Sequence, residues 1–275
     1  MSSIAPAGNR MNFEIARQAR LAQDVARAQV QISTGKRLQD ASDDPVAAAR
    51  VAQLKQDASD NDAWTANLGL AKSLSSDADT ALGSMSDRLV QAREWMVAAS
   101  SGTASAADRQ TYAQSLRDAA DELDQLAASK SSLGQPLFAA GQTLRVGPGQ
   151  TLTSVITLAG LAVNGNSPAA VLRQAADAVA NGDSAGMASA LDQISSATSA
   201  VADVHGAQGL IGARIDRLAN SMATTATARE AERSNLEDTD IASAVATLNG
   251  KQLTLEAAQA AFARINRRTL FDILS

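Results

Sequence analysis

The sequence predicts a mainly α protein: long antiparallel helices forming a coiled-coil-like rod, a small β-containing tip, and paired N- and C-terminal helices. Three observations carry this. Apolar residues make up 45% of the 275 residues but aromatics only 3%, and much of the apolar share is Ala. Such a chain lacks the bulk for a thick globular core, whereas Ala with spaced Leu, Ile, Val and Met favours long, closely packed helices. Apolar positions also recur in alternating steps of four and three, the 3.5-residue period of a coiled-coil seam. Finally, only five prolines interrupt the chain, and several of its glycines gather in the middle.

The totals exclude several classes. The net charge is −5 with no basic tract, which argues against nucleic acid as a partner. There is no cysteine, hence no disulfide framework and no thiolate chemistry. His205 is the single histidine, so metal clusters and histidine-based catalysis have almost no material, and no cofactor is expected. The N-terminus lacks the apolar run of a secretory signal, so if the protein leaves the cell it is expected to do so without a cleaved signal peptide. The longest aliphatic run, at 158–163, is far below the roughly 20 residues of a membrane span, and no membrane partner is expected.

In chain order, Ile4, Met11, Ile15, Ala22, Val25 and Ile32 lie on one face of a first helix, with a polar lapse at Gln18. Gly35 ends that helix. Asp43 belongs to a tight turn, and Asp44 before Pro45 is a helix start: a carboxylate cap with Pro where no N–H is needed. A helix then runs to about residue 100, with a break expected near Asp60. Its stripe is Leu68, Ala71, Ser75, Ala78, Leu82, Met85, Leu89, Ala92 and Met96. After a turn at 100–105, a return helix carries Tyr112, Leu116, Ala119, Leu123 and Leu126 on one face.

From about residue 129 glycines and prolines alternate with short apolar runs at 137–138, 144–146 and 152–158, which read as strands. A short helix is expected at 168–180. A long one follows at 184–233, striped by Met187, Leu191, Ile194, Thr198, Val201, Val204, Gln208, Ile211, Ile215, Leu218 and Met222. Two three-residue steps in succession, then His205-Gly206 and Gly209, predict a local kink or overwinding. Asp238 lies in a second polar junction, and Thr239 or Asp240 caps the last helix.

That helix carries the unbroken stripe Ile241, Val245, Leu248, Gln252, Leu255, Gln259, Phe262, Asn266, Thr269 and Ile273. Its three amides make a weak core by itself, so the helix needs a partner. The first forty residues hold six Lys/Arg against three Asp/Glu, while 234–275 hold four against five. The two ends can therefore approach without strong repulsion. The expected division is 1–40 with 236–275 as a terminal helical part, 41–130 with 184–235 as a central rod, and 131–183 as the tip. Ile4, Met11, Ile15 and Val25 should pack against Ile241, Leu248, Leu255 and Phe262. Unpaired, these ends should be mostly disordered.

The motif Ser33-Thr-Gly-Lys-Arg37, followed by Ala41-Ser-Asp-Asp-Pro-Val-Ala-Ala48, resembles the N-terminal junction of the flagellin superfamily. Asn235-Leu-Glu-Asp-Thr-Asp-Ile-Ala242 resembles the matching C-terminal junction, and Leu270-Phe-Asp-Ile-Leu274 that family's chain end. Pro45, and Gly134-Gln-Pro-Leu-Phe-Ala-Ala-Gly141 with an extra Ala before Gly141, make the chain more similar to the hook–filament junction branch than to filament flagellins.

The resemblance implies a non-enzymatic, extracellular subunit of the bacterial flagellum, exported unfolded by the type III apparatus. It implies axial polymerisation, with copies of itself, a neighbouring hook-associated protein and flagellin as partners. An export chaperone would hold the C-terminal helix beforehand. A compact filament flagellin is the alternative. A soluble coiled-coil chaperone or adaptor is the alternative of another class.

Overall fold

Helix starts follow the capping chemistry in the sequence. In the computed structural model, which describes the backbone of residues 5–139 and 143–273 and the side chains of 11–139 and 143–264, the first two helices are α1 (Ala5–Thr34) and α2 (Pro45–Ala99). The Asp44 carboxylate accepts from the Ala47 N–H at 3.0 Å, with Pro45 as the first residue of α2. Helix α3 (Ala106–Ala127) opens on a capping box, in which Ser105 Oγ accepts from Asp108 N–H and the Asp108 carboxylate accepts from Ser105 N–H.

Strands β1 (Thr143–Gly147) and β2 (Gln150–Thr153) form an antiparallel hairpin that pairs Leu144 with Leu152, with an irregularity after Arg145. A 3-10 turn covers Leu158–Leu161. Helix α4 (Pro168–Asn181) is capped by Ser167 and closed by Gly182 in the left-handed region. Helices α5 (Ser184–Glu237) and α6 (Ile241–Ile273) complete the described chain. It is mainly α with a small β element, as the composition and periodicity require.

The chain divides into two compact units, Ser59–Thr225 and the two ends, Met1–Ala58 with Ala226–Ser275. In the first unit, α2, α3, α4 and α5 share one core. Leu82, Leu89, Met96, Leu116, Leu172, Ile194 and Val201 are fully enclosed. Every residue of the expected α2 stripe is buried, from Leu68 to Met96. A second cluster seats the hairpin: Val146 and Leu152 pack on Leu68, Ala71 and Ile215. Residues α3 and α4 present to each other are tied by ion pairs of Arg117 with Asp177 and of Arg173 with Asp121 and Asp124.

Several expectations are corrected. Helix α2 continues through Asp60 without the expected break; α5, where a kink or overwinding is expected, is one helix from Ser184 to Glu237. His205 is held by Asp79 at 2.9 Å across to α2, and Gly206 and Gly209 have open space where a Cβ would stand. Residues 137–138 are not a strand. They end a small loop closed by Ser131 N–H on Gln135 O and Leu137 N–H on Ser129 O, and Leu137 and Phe138 reach the main core as turn residues. Strand β2 stops at Thr153 instead of running on to 158, because a side chain replaces the strand partner. Gln208 donates to Ser154 O at 3.0 Å and to Ser75 Oγ at 2.8 Å, and accepts from Ile156 N–H at 2.9 Å. Gln208 is only 1% exposed, so this amide satisfies backbone groups that a continued ladder would otherwise hold.

Candidate functional site

In the terminal unit, α1 packs against α6. Gln18 Nε2 reaches Ala258 O at 3.5 Å, Asp24 pairs with Lys251 at 3.4 Å, and Thr239 N–H donates to Gly35 O at 2.8 Å. These contacts set an antiparallel register that brings Leu21 level with Leu255 and Ala28 level with Leu248.

The two stripes that meet are thin. On α1 the sheltered residues are Glu14, Gln18, Leu21, Val25, Ala28 and Ile32, again stepping four and three. On α6 they are Ala244, Leu248, Lys251, Gln252, Leu255, Ala258 and Phe262. The α6 half-stripe of Leu248, Leu255 and Phe262 therefore faces α1 as the spacing implies. Three other placements correct the reading. Met11 and Ile15 are 46% and 50% exposed, because Glu14, Gln18 and Leu21 take the inner positions. Ile241 and Val245 are also largely exposed, with Ala244 beneath them. Gln259 is exposed, and Gln252 is the half-buried one of these two described amides of the expected ladder. Ile4 lies outside the described residues, as do Gly141 and the side chains of Asn266 and Ile273.

The physical cause is the small size of the inner set. Ala28, Ala244 and Ala258 let the helix axes approach, and a wider seam of Met11, Ile15 and Val245 would hold them apart. The outward face of the pair consequently displays Met11, Phe13 at 70% exposure, Ile15, Val30, Ile241, Val245 and Leu253. A cleft of about 320 Å³ opens on the pair between Glu14, Arg17, Thr254, Ala258, Ala261 and Phe262.

The two ends are clasped at the junction. Gly35, at φ +70, turns the chain out of α1 in a conformation that costs other residues about 1 kcal/mol. The next segment lies along the end of α5: Lys36 bridges Asp238, and Arg37 N–H donates to Glu237 O at 2.7 Å. Asp43 Oδ2 accepts the N–H groups of Gln39 and Asp40, which lowers its pKa. Asp240 Oδ1 caps α6 by accepting from Ala242 and Ser243. Asp238 accepts from Ser234 Oγ. The cap and turn residues read from the sequence are thus all in use.

Glu237 was not legible in the sequence, where it reads as one more solvated acid. Its carboxylate is buried. Oε1 receives Lys36 Nζ at 2.6 Å and Lys55 Nζ at 3.1 Å, and Oε2 receives Arg233 at 2.6 Å. The Lys36 ammonium, seconded by Lys55 and Arg233, holds its pKa down to about 2 against a burial that would raise it. Around it, Arg50 grips Glu232 with two bonds of 2.7 and 2.9 Å, and Arg229 faces Asp57. One carboxylate at the end of α5 thus gathers charges from the loop after α1, from α2 and from α5. Among the described residues there is no group of three His, Cys, Asp or Glu side chains able to hold a metal, and no helix long and apolar enough to cross a membrane.

Comparison with known proteins locates the same two ends. Residues 12–143 match the model of the bacterial flagellin N-terminal helical region, and residues 191–274 match that of the flagellin C-terminal helical region. Flagellar hook-associated protein 3 of Salmonella typhimurium is 33% identical over 113 residues, and that of Escherichia coli 32% over 113. Each alignment covers 41% of this chain and 36% of the relative, so the chain matches about a third of the length of either. Flagellin of Listeria monocytogenes is 24% identical over 230 residues, 79% of this chain and 80% of that one. A solved structure of a flagellar hook-associated protein from Vibrio parahaemolyticus superposes with a TM-score of 0.66 at 16% identity, covering 71% of this chain and all of the other, a likeness of fold. The two matched regions carry most of α1, all of α2 and α3, and most of α5 with α6, and on that evidence the chain belongs to the bacterial flagellin family.

Proposed function

We propose that the protein is a structural subunit of the bacterial flagellum that joins hook to filament, polymerising axially through the α1/α6 pair. The observation that carries this is the outward apolar face of that pair. Met11, Phe13, Ile15, Val30, Ile241, Val245 and Leu253 stand exposed on two helices whose mutual seam is mostly Ala, Gln and single Leu residues. Large apolar side chains left bare on a weakly cored helix pair are covered when neighbours pack on it. In this reading the neighbours are other copies of the chain, a hook-associated protein on one side and flagellin on the other. The 1–40 and 236–275 segments form the polymerising part, 41–130 with 184–235 the supporting rod, and 131–183 the tip.

The chemistry needed is packing and order, not catalysis, and the proposal assigns no cofactor. A flagellar export chaperone takes α6 before assembly, since exposed Val245, Leu253 and Gln259 offer it one face of the helix. The hook-associated relatives favour the junction role. The longer alignment with Listeria flagellin favours a compact filament subunit as the second reading.

Immunogold labelling of an epitope inserted at Gly149, on intact flagella, separates the two. A band at the hook–filament boundary supports the junction subunit, and label along the filament supports the flagellin reading. Absence of label from flagella would end both.

A further inference from the structure

The hairpin has two edges, and they are treated differently. The outer side of β1 is closed: Asn67 of α2 donates its amide to Arg145 O at 2.8 Å. The outer side of β2 has no strand or side-chain partner among the described residues, since the sheet has two strands only. A groove of about 490 Å³ runs between that edge and α5. One wall is Gln150, Thr151 and Leu152, the other Arg214, Arg217 and Leu218. Its floor is continuous with the Val146, Leu152 and Ile215 cluster.

The charge of the groove is one-sided. Arg214 and Arg217 are exposed, and neither has a carboxylate partner among the described residues. The acid between them, Asp216, is committed to Lys72 of α2 at 2.7 Å. Open strand edges recruit extended peptides, and uncompensated guanidinium groups select carboxylates.

We propose that this groove binds an extended acidic peptide of a partner protein, which adds to β2 as a third strand and sets its carboxylates on Arg214 and Arg217. A second copy of this chain is a poor donor. Its non-helical stretches at 100–105, 128–139 and 154–167 contain no Asp or Glu. In the 35–44 segment Asp43 and Asp44 are already engaged as turn and cap acceptors, which leaves Asp40 as a single acid against two guanidinium groups. The acidic strand therefore comes from another polypeptide. Main-chain bonds to β2 supply affinity, and alternating carboxylate and apolar side chains supply choice: acids on Arg214 and Arg217, apolar groups on Leu152 and Leu218. The inference concerns the Ser59–Thr225 unit and does not depend on the assembly reading.

The probe is a fluorescein-labelled hexapeptide of alternating Glu and Val, titrated with the full-length protein and followed by anisotropy. Saturable binding is expected. It should weaken at least about tenfold in R214E/R217E and in the milder R214Q/R217Q, and fall steeply with salt. It should weaken comparably when alternate peptide amides are N-methylated, and a Lys-Val hexapeptide should not bind. Amide hydrogen exchange should slow in β2 on adding the peptide. Circular dichroism of the variants controls for folding, which two exposed arginines should not affect. Equal binding by the N-methylated peptide would reduce the groove to a patch of positive charge and overturn strand addition. Absence of binding, or binding unchanged in both variants, would overturn the site.

Discussion

The Lys36 ammonium lies 2.6 Å from Oε1 of Glu237, 201 residues away in sequence, and this contact ties the N-terminal helix to the end of α5. The carboxylate it meets is buried and shared with Lys55 and Arg233. Unfolded, Glu237 has the ordinary pKa of about 4.5, and folded it is held at about 2. The unfolded state therefore binds the extra proton between these values. The junction's stability is complete above about pH 5 and is lost as pH falls toward 2, by about 3 kcal/mol for this group. Glu230 and Glu232, lowered by Arg233 and Arg50, titrate in the same direction. E237Q isolates the central group. It should destabilise the terminal unit by about 2–3 kcal/mol at pH 7 and flatten its acid dependence. Hydrogen exchange of α1 and α6 between pH 7 and pH 3, corrected for intrinsic rates, measures both. An E237Q protein with unchanged protection at pH 7 would remove Glu237 from the centre of the clasp.

Leu255 sits on the inner stripe of α6, level with Leu21. Leu255→Asp buries a carboxylate in a seam whose cation one turn away, Lys251, is already paired with Asp24, and should release the α1/α6 pair by about 3 kcal/mol or more. The Ser59–Thr225 unit keeps its own core and should melt unchanged. Limited proteolysis should trim both ends of the variant rapidly while leaving the central part resistant. Sedimentation should show that the trimmed ends and the loss of polymer go together. A variant that still forms normal polymer would contradict assembly through this pair.

Gln208 is the single amide that anchors 154–156 to α2 and α5. Gln208→Leu keeps the volume but strands Ser154 O, Ile156 N–H and Ser75 Oγ in a buried site. The expected cost is about 2–4 kcal/mol, read by urea unfolding, with early loss of protection in 154–156. A cost under about 1 kcal/mol would mean that water or another side chain replaces the amide.

Asp240→Ala removes the acceptor for Ala242 and Ser243 at the start of α6. It should cost about 1 kcal/mol and fray the first turn. Gly35→Ala meets no atom within 4 Å at its Cβ, so its cost of about 1 kcal/mol comes from backbone conformation alone. Thermal unfolding of the two variants and of the double mutant tests whether the costs couple. Both residues act on one junction through Thr239 N–H and Gly35 O, so the double mutant should depart from additivity.

The central helices were legible because their stripes are apolar on one face and long enough to average out local noise. Leu68, Leu82, Leu89 and Met96 in α2, with Ile194 and Val201 in α5, are buried where the period puts them. The terminal stripes were misread by one position. On α1 the larger apolar residues Met11 and Ile15 mark an outward face, while Gln18 and Leu21 take the seam. Periodicity finds an apolar stripe but cannot say which partner covers it, and here part of it is left bare in the single chain.

The sequence alone determined the helix start at Pro45 with its cap Asp44, the polar junction before α6, the turn at Gly35 and the helical character of nearly the whole chain. Each of these is set by residues within a few positions of one another. Only the tertiary structure decided that Glu237 is buried, that Gln208 ends β2, that α2 and α5 stay unbroken, and which face of α1 looks inward. Those outcomes depend on groups that meet from opposite ends of the chain, and a local pattern carries no record of charges and amides that become neighbours only when the helices pack.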